Sequence, residues 1–272
     1  MKKARSIPPG MPVHIHWFSG TGNTLLIAET LEDTFRARGY VVTLIPIECI
    51  DPKEIDPSAV CGFAVPVAGQ STYPFIWEFL EKLPQVPGTP CFFADTLAMY
   101  SGGILGPVKR LLRRKGFRPL GAREFIMPNN FLRRKALPEH DKSLSGRGEE
   151  RAAAFAELLI RGKAHWWDIP FYSDMMSFWF RNRGMVRLLL RILPVRIDPS
   201  RCSACGTCVA LCPEHSLTLK EGANVPVNSD RCTLCHRCFA YCPENAVTIG
   251  RKERFRYKAV DLAALRKRLS EK

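Results

Sequence analysis

Apolar runs alternate with amphipathic stretches from the N-terminus to Ala164. The runs are short and rich in Val, Ile, Phe and Cys, as buried strands are, whereas the stretches between them repeat apolar residues every three or four positions, as one face of a helix does. The predicted strands are Pro12–Phe18, Val41–Ile47, Val60–Pro66, Pro90–Asp95 and Arg123–Met127. The predicted helices are Thr24–Gly39, Pro74–Leu83, Leu105–Lys115 and Glu149–Lys163. This alternation predicts an α/β domain whose parallel sheet is covered by helices on both faces.

A loop of small and hydroxyl residues, Ser19–Thr24, joins the first predicted strand to the first helix and reads SGTGNT. Backbone N–H groups and hydroxyls line such a loop, and the helix start adds a dipole that favours an anion, so the pattern is typical of a phosphate site. The loop has neither a Gly-Lys-Ser/Thr ending nor the G-x-G-x-x-G of dinucleotide folds. It contains no Lys or Arg, so neutral donors would hold the phosphate. The alternative is an ordinary helix start with a Ser or Thr cap.

Eight of the eleven cysteines form two runs of identical spacing. The runs 202–213 and 232–243 both read C-x2-C-x2-C-x3-C-P, and their flanking residues also match, which indicates an internal duplication in which Cys232 corresponds to Cys202. We expect each half to form a short β-hairpin and turn. The other three cysteines lie in or beside apolar strands and are expected to be buried small hydrophobic residues; they are Cys49, Cys61 and Cys91.

The spacing of the two runs is the ligand pattern of two cubane [4Fe–4S] clusters. Three thiolates come from one tight loop, and the fourth cysteine of each run ligates the other cluster. The predicted ligands are Cys202, Cys205, Cys208 and Cys242 for cluster I, and Cys232, Cys235, Cys238 and Cys212 for cluster II. Zinc sites usually have paired C-x2-C units rather than runs of four that end in Pro. A C-x-x-C-H haem signature ends at His236, but the flanking cysteines make it coincidental, and we expect this histidine on the surface near the cluster.

Cysteine usage and charge indicate a compartment and a class of partner. A dense group of cysteines after a cysteine-poor body indicates metal ligation in a reducing compartment. The basic N-terminus is not followed by the apolar run of a signal peptide. We therefore expect a cytoplasmic protein. The net charge is +14; Lys109–Arg118 carries six positive residues and no acid, and residues 251–272 carry nine positive and three negative ones. This excess favours an acidic partner, which could be a redox protein, a membrane surface or nucleic acid. A solvated basic face without a partner is an equal alternative, and the lack of a groove-reading motif ranks nucleic acid last.

Four motifs together carry a resemblance to a known family. They are WFSGTGNT at 17–24, VPVAG at 65–69, MPNNF at 127–131 and the double cysteine motif. In these features nearly the whole chain resembles the flavodoxin–ferredoxin fusion proteins, a family of electron carriers. The resemblance implies a flavodoxin-like, doubly wound, parallel five-stranded sheet in the order 2-1-3-4-5, followed by a small α+β bacterial-type 2[4Fe–4S] ferredoxin domain.

The same resemblance implies an FMN site at the carboxyl edge of the sheet. The FMN phosphate would be bound by Ser19, Gly20, Thr21, Gly22, Asn23 and Thr24. The flavin ring would contact the loops after the third and fourth strands, at Pro66, Val67, Ala68, Gly69, Tyr100, Gly102 and Gly103. Tyr73 is a second aromatic candidate for stacking on the ring.

We divide the chain into a flavodoxin-like FMN-binding domain (1–164), an aromatic and basic helical linker (165–195), a ferredoxin-type domain (196–250) and a basic C-terminal tail (251–272). The linker is far too interrupted by charge to span a bilayer. It could pack the two domains together, or it could lie as an amphipathic helix on a membrane or a partner protein. We favour packing, because aromatic residues at helical spacing more often build a core.

These features predict an electron carrier that passes electrons between FMN and two [4Fe–4S] clusters and on to an acidic redox partner. FMN would connect two-electron and one-electron chemistry. The alternative is a flavin-dependent reductase of a small organic substrate, such as a quinone, that is fed by its own clusters. No acid, base and nucleophile come together in the sequence, and the six histidines are scattered.

Overall fold

The computed structural model describes residues 6–99, 103–131, 133–167, 175, 181–220 and 222–271. Its larger part, here called the sheet domain, is a five-stranded parallel sheet. The strands are β1 (Val13–Trp17), β2 (Val42–Pro46), β3 (Val60–Pro66), β4 (Pro90–Leu97) and β5 (Arg118–Ile126). They lie in the order β2-β1-β3-β4-β5, and every neighbouring pair is parallel. The predicted flavodoxin-like strand order is therefore confirmed.

Helices cover both faces of this sheet. They are α1 (Asn23–Ala37), α2 (Pro74–Lys82), α3 (Leu105–Arg114) and α4 (Pro138–Ile160). α1 and α4 contribute to the core on one face, and α2 and α3 contribute to the core on the other. All of β4 is buried, and successive side chains, such as Phe92 and Phe93, point into opposite cores. Burial on both faces explains why the strands read as continuous apolar runs.

Two elements begin earlier than the sequence pattern predicts. β5 starts at Arg118 rather than at the predicted Arg123, and it includes Pro119 and Gly121. An edge strand has one side without a partner strand, so it tolerates a proline that a central strand would not. α4 starts at Pro138 rather than at Glu149, because a proline at the first position and the acidic Glu139 and Asp141 in the first turn favour a helix start there.

We expect the two glycines of α4 to respond oppositely to alanine. A Cβ at Gly146 would meet nothing within 4 Å, whereas one at Gly148 would lie 2.4 Å from Met127 Sδ. Gly146→Ala should therefore raise the free energy of unfolding by about 0.5–1 kcal/mol, as an ordinary gain in helix propensity. Gly148→Ala should lower it by about 1–3 kcal/mol through overpacking. Urea unfolding of both variants measures the difference, and equal effects would contradict this packing of α4.

The second part of the chain, here called the cluster domain, is built from the two cysteine runs. It contains β6 (Val195–Ile197), β7 (Leu217–Thr218), β8 (Val227–Asn228) and β9 (Val247–Ile249), with the short helices α6 (Thr207–Ala210) and α7 (Arg237–Ala240). β6 pairs with β9, and β7 pairs with β8, both antiparallel. Each pair joins a strand of one half to a strand of the other. The prediction of one hairpin per half is therefore wrong, because the halves complete each other's sheets.

Two further helices tie the cluster domain to the sheet domain. α5 (Arg183–Ile192) lies within the linker, and Arg183 bonds both Glu78 on α2, at 2.7 Å, and Glu214, at 3.2 Å. α8 (Leu262–Ser270) lies in the segment that we predicted as a basic tail. Its Arg268 contacts Glu29 and Glu32 of α1 at 2.8 and 3.0 Å, so the C-terminal segment folds back onto the first helix.

The helical linker contains the longest part of the chain outside the described residues, namely 168–174 and 176–180. On its described side, Leu189, Leu190 and Leu193 pack against the core of the cluster domain. None of the helices in the described ranges combines the length and the apolar character needed to cross a bilayer.

Candidate redox site

The eight cysteines of the two runs line two separate cavities. Cys202, Cys205, Cys208 and Cys242 line the first. Cys212, Cys232, Cys235 and Cys238 line the second. Each cavity thus takes three cysteines from one run and the fourth from the other, which is the grouping that the spacing predicts. Among the described residues, no three Cys, His, Asp or Glu side chains meet as ligands of one metal ion. Thiols spread around a space suit a cluster better than a single tetrahedral ion.

The duplicated loops repeat their backbone as well as their cysteines. Corresponding positions of the two runs share the left-handed conformation; the pairs are Ala204 and Leu234, Gly206 and His236, and His215 and Asn245. The fourth cysteine of each run also accepts the same hydrogen bond, because Ser216 N donates to Cys212 Sγ and Ala246 N donates to Cys242 Sγ, both at 3.3 Å. Such N–H···S bonds fix the ligands and tune cluster potentials.

The two cavities differ in exposure. Cys205 of the first cavity is exposed, and hydrogen bonds with Thr207 lower the pKa of its thiol. Cys235 of the second cavity is buried and belongs to an apolar core of the sheet domain, and this burial raises the pKa of its thiol to about 12. The second cavity therefore faces the sheet domain, and the first faces outward.

Arg237 joins the second cavity to the sheet domain. This arginine lies between Cys235 and Cys238 in sequence and is 1% exposed. Its Nε donates to Ser19 O at 3.0 Å, and its NH1 group pairs with Glu48 Oε1 at 2.5 Å. The guanidinium also lies 4.6 Å from the ring centre of Phe18. A buried charge with several partners of this kind holds two domains in one arrangement.

The Ser19–Thr24 loop lies directly beneath the cluster domain. A Cβ on Gly20 would come 2.0 Å from Cys235 O, so the close approach of the two backbones requires glycine at this position. From the C-terminal segment, Ala259 N donates to Thr21 O at 2.7 Å, and the Tyr257 hydroxyl donates to Asn23 Oδ1 at 2.8 Å. The loop is therefore part of the interface between the domains.

The same loop keeps the donors that a phosphate group needs. In the described part of the chain, the backbone N–H groups of Ser19, Gly20 and Thr21 have no acceptor, although all three residues are buried. The Ser19 hydroxyl accepts from Gly22 N at 3.0 Å, and the Thr21 hydroxyl accepts from Asn130 Nδ2 at 2.7 Å. Each hydroxyl therefore keeps its own proton for a ligand. Donors of this kind, with the start of α1 behind them, are the groups that bind a phosphate.

The loops predicted to contact the flavin ring are only partly described. Pro66 ends β3, and Val67, Ala68 and Gly69 follow it into a turn that is closed by hydrogen bonds between Ala68 and Ser71. Tyr100 and Gly102 lie outside the described residues, whereas Gly103 is buried before α3.

Tyr73 lies between the β3 loop and the second cavity. Its ring stacks on Phe75, with ring centres 5.9 Å apart, and meets Phe18 edge-on. Desolvation raises the pKa of the Tyr73 phenol, and the nearby Cys235 and Cys232 raise it further. This tyrosine, chosen from sequence as a stacking candidate, therefore lies beside the second set of cysteines.

Sequence reasoning placed two residues wrongly. His236 is 5% exposed rather than on the surface, and its ring stacks on Phe131 of the sheet domain with centres 5.5 Å apart. Burial lowers the pKa of His236 to about 4. Cys49 is exposed, although we expected it to be buried; Cys61 and Cys91 are buried as expected.

Sequence reasoning also missed two buried charged groups. Arg237 is one of them. The sequence does contain a hint of it, because the second cysteine run has this basic residue where the first run has Thr207. Asp95 is the other; it is fully buried near the end of β4, and neither carboxylate oxygen has a hydrogen-bond partner among the described residues. Burial, and after it the nearby Glu124 carboxylate, raise the pKa of Asp95 well above its usual range.

Comparison with known proteins finds one family that matches the second part of the chain and solved structures similar to about half of the chain. Residues 194–243 match a family described as a 4Fe-4S dicluster domain. The chain is similar to a flavodoxin of Streptococcus pneumoniae TIGR4, with 20% identity, a TM-score of 0.43, and coverage of 55% of this chain and 97% of that one. A Megasphaera elsdenii flavodoxin gives 22% identity, a TM-score of 0.33, and coverage of 52% and 98%. No curated protein matches the chain.

The first part has the flavodoxin-like strand order 2-1-3-4-5, with the Ser19–Thr24 loop after its first strand. The assignment of the second part rests on the matched family and on the grouping of its cysteines. The chain thus joins a flavodoxin-like α/β domain to a 4Fe–4S dicluster domain of the ferredoxin type, and it is an electron-transfer protein.

Proposed function

We propose that the chain carries electrons between FMN, held by the sheet domain, and two [4Fe–4S] clusters, held by the cluster domain, and passes them to a redox partner. Cluster I would be ligated by Cys202, Cys205, Cys208 and Cys242, and cluster II by Cys212, Cys232, Cys235 and Cys238. FMN, when bound, exchanges electrons singly or in pairs, whereas each cluster exchanges them singly. The different exposure of the two cavities supports the order sheet domain, cluster II, cluster I.

One observation carries this proposal: the loop that fits the FMN phosphate touches the loop that holds the second set of cysteines. Gly20 and Cys235 meet through their backbones, and Arg237 hydrogen-bonds Ser19. Two separate carriers joined by a flexible linker would have no reason to share a buried contact. The contact supports a fixed path between the two cofactors rather than two tethered, independent carriers.

Side chains between the sheet domain and the second cavity position and tune cluster II in this proposal. Arg237 fixes the position of the cluster II loop against the sheet domain. The Ser216 hydroxyl lies 3.4 Å from Cys212 Sγ and adds a polar contact that the first cavity lacks at the equivalent Ala246. The apolar surroundings of Cys235 exclude water from the junction. Differences of this kind are among those that set the potentials of otherwise equal clusters.

The first test is the content of iron and flavin per chain after strictly anaerobic purification. We expect about eight irons and about one FMN. Iron without flavin, even after FMN is supplied, would show that the sheet domain is a docking scaffold. Steady-state reduction of a quinone by the loaded protein would instead support the reductase alternative.

A matched pair of cysteine variants tests the order of the clusters. Cys235→Ala and Cys205→Ala should each lower the iron content by about four. After a light flash reduces the flavin, transient absorption should show electron transfer to the remaining cluster in Cys205→Ala. The same signal should be absent or strongly slowed in Cys235→Ala, because the cluster beside the sheet domain is lost. Equal kinetics in the two variants would contradict the proposed path.

A further inference from the structure

A groove of about 830 Å³ lies beside the edge strand β5, at the end of the sheet opposite the Ser19–Thr24 loop. The end of α3, the start of β5 and residues 164–167, which run into the linker, line this groove. None of its lining residues belongs to the redox site, so the groove is a separate feature of the surface. We call it the β5 groove.

The chain that enters the linker is fixed along the β5 groove. His165 O accepts a hydrogen bond from Ala122 N at 3.0 Å, and the ring of Trp166 stacks on Phe93 with ring centres 5.9 Å apart. Trp166 thus packs on the core of the sheet domain, whereas the next side chain, that of Trp167, is 77% exposed. A tryptophan whose ring lies in water at a fixed position suits the boundary between water and an apolar phase.

The charge of the β5 groove is positive. Among the described residues it is lined by three cations and a histidine and by no acid; these side chains are Lys109, Arg113, Arg118 and His165. The segments 109–118 and 161–167, which supply them, carry eight Lys or Arg residues and no acid. Fewer acids pair with these segments or adjoin them in sequence; they are Glu157, which lies 3.1 Å from Arg161, and Asp168 and Asp174 of the linker sequence. Basic residues outnumber these acids by more than two to one, so the surface attracts an anionic partner.

The linker sequence beyond Trp167 favours a lipid surface over nucleic acid as that partner. Residues 169–180 include eight apolar or aromatic residues, among them Ile169 and two methionines. Met175, which the structure describes, is 55% exposed. Bases stack on aromatic rings but offer no site for aliphatic and thioether side chains, whereas the boundary of a bilayer takes both. Basic residues beside exposed apolar ones are the combination that binds an anionic membrane surface.

We propose that the β5 groove docks the protein on an anionic lipid surface. The side chains of Arg113 and Arg118 bind lipid phosphates, and the ring of Trp167 lies at the level of the headgroups. The contact is reversible and weakens with salt, because screening shortens the range of the attraction. The inference is independent of the proposed function, because no residue of the redox site takes part in it.

Sedimentation with lipid vesicles tests the docking surface. The full-length protein is mixed with vesicles of phosphatidylcholine, with or without phosphatidylglycerol, and the bound fraction is measured. We expect binding to the anionic vesicles that weakens on the order of tenfold as the ionic strength rises from about 0.05 M to about 0.5 M. No binding to anionic vesicles, or equal binding to both kinds, would overturn the proposal. Binding of a DNA duplex or of inorganic phosphate without binding of vesicles would also overturn it, and would assign the groove to nucleic acid or to a free anion.

Charge-reversal variants locate the binding on the molecule. Arg113→Glu combined with Arg118→Glu should weaken binding to anionic vesicles on the order of tenfold or more, because each basic residue near such a surface adds to the attraction. Arg134→Glu combined with Lys135→Glu is an equal change beyond the opposite end of β5, where both side chains are exposed, and it should have a small effect. Iron content and urea unfolding confirm that each variant folds. If the first double variant does not fold, Arg113→Glu alone replaces it, because this side chain is exposed.

The apolar part of the contact has its own variant. Trp167→Ala should weaken binding to anionic vesicles on the order of tenfold, because the indole ring no longer leaves water. Val41→Ala should not change the binding, since Val41 is 72% exposed but lies beside β2, at the other edge of the sheet. Equal effects of the test and control variants in either pair would contradict docking through the β5 groove.

Discussion

Arg237→Ala is expected to lower the free energy of unfolding by about 3–5 kcal/mol and to separate the cluster domain from the sheet domain. The side chain is 1% exposed, and its loss leaves the carboxylate of Glu48 and the carbonyl of Ser19 buried without their donor. Its NH1 group also donates to Leu211 O at 3.3 Å, so one side chain bonds three parts of the interface. Removing one partner of a buried ion pair costs more than removing both.

The difference between removing one partner of the Arg237–Glu48 pair and removing both provides the control. Arg237→Leu combined with Glu48→Leu should recover part of the loss, because no unpaired charge then stays buried. Arg231→Ala, on the same loop, should change the free energy of unfolding by less than about 1 kcal/mol, because its side chain is 63% exposed and its acidic partner is as far as 4.0 Å away. Urea unfolding measures stability, and limited proteolysis reports separation of the domains. An Arg237→Ala protein that is as stable as Arg231→Ala would show that the interface does not depend on this arginine.

Gly20→Ala should cause the second-largest loss of folding stability. The reason is its contact with the cluster domain and not its predicted role in phosphate binding. Sequence reasoning placed Gly20 among the phosphate ligands, where glycine permits a close approach of the ligand. In the structure, an added Cβ would lie 2.0 Å from Cys235 O, and backbone cannot yield as a side chain does. We expect a loss of about 3 kcal/mol and a changed environment for cluster II.

The measurement for Gly20→Ala combines unfolding with the electron paramagnetic resonance spectra of the reduced clusters. The signal of the cluster beside the sheet domain should change, and the outer one should not. Gly39→Ala is a suitable comparison, because its backbone is left-handed but a Cβ there would meet nothing within 4 Å. It should cost about 1–2 kcal/mol without altering either signal. Unchanged spectra and stability in Gly20→Ala would mean that the two loops do not meet as described.

Local patterns were sufficient to predict the sheet and the grouping of the cysteines. Strands buried on both faces have an apolar character that a short window reveals, and β3 begins and ends as predicted, at Val60 and Pro66. Elements whose ends depend on tertiary packing were predicted less well. α4 begins at Pro138, well before the Glu149 that its periodicity suggests, and Gly148 within it fits closely against Met127. Nothing near Gly148 in sequence indicates that contact.

The interface could not be predicted from the sequence for a similar reason. Arg237 and Ser19 are 218 positions apart, and the spacing of the cysteines accounts for their own positions without reference to the arginine between them. His236 shows the same limit: next to three cysteines it resembled a surface residue, but it stacks on Phe131 in the other domain. The sequence predicted which cysteines lie together, but it did not predict how their domain packs against the sheet domain.

The pairing of β6 with β9 has a consequence for the origin of the cluster domain. Because each half supplies a strand and a cysteine that the other half lacks, neither half is complete alone. A single ancestral half could have formed the same two sites only as a homodimer with twofold symmetry. Two copies in one chain can carry different residues at equivalent positions, and the second has Arg237 where the first has Thr207. In a symmetric homodimer the two cavities would be identical, so one inner and one outer cavity require two halves of different sequence.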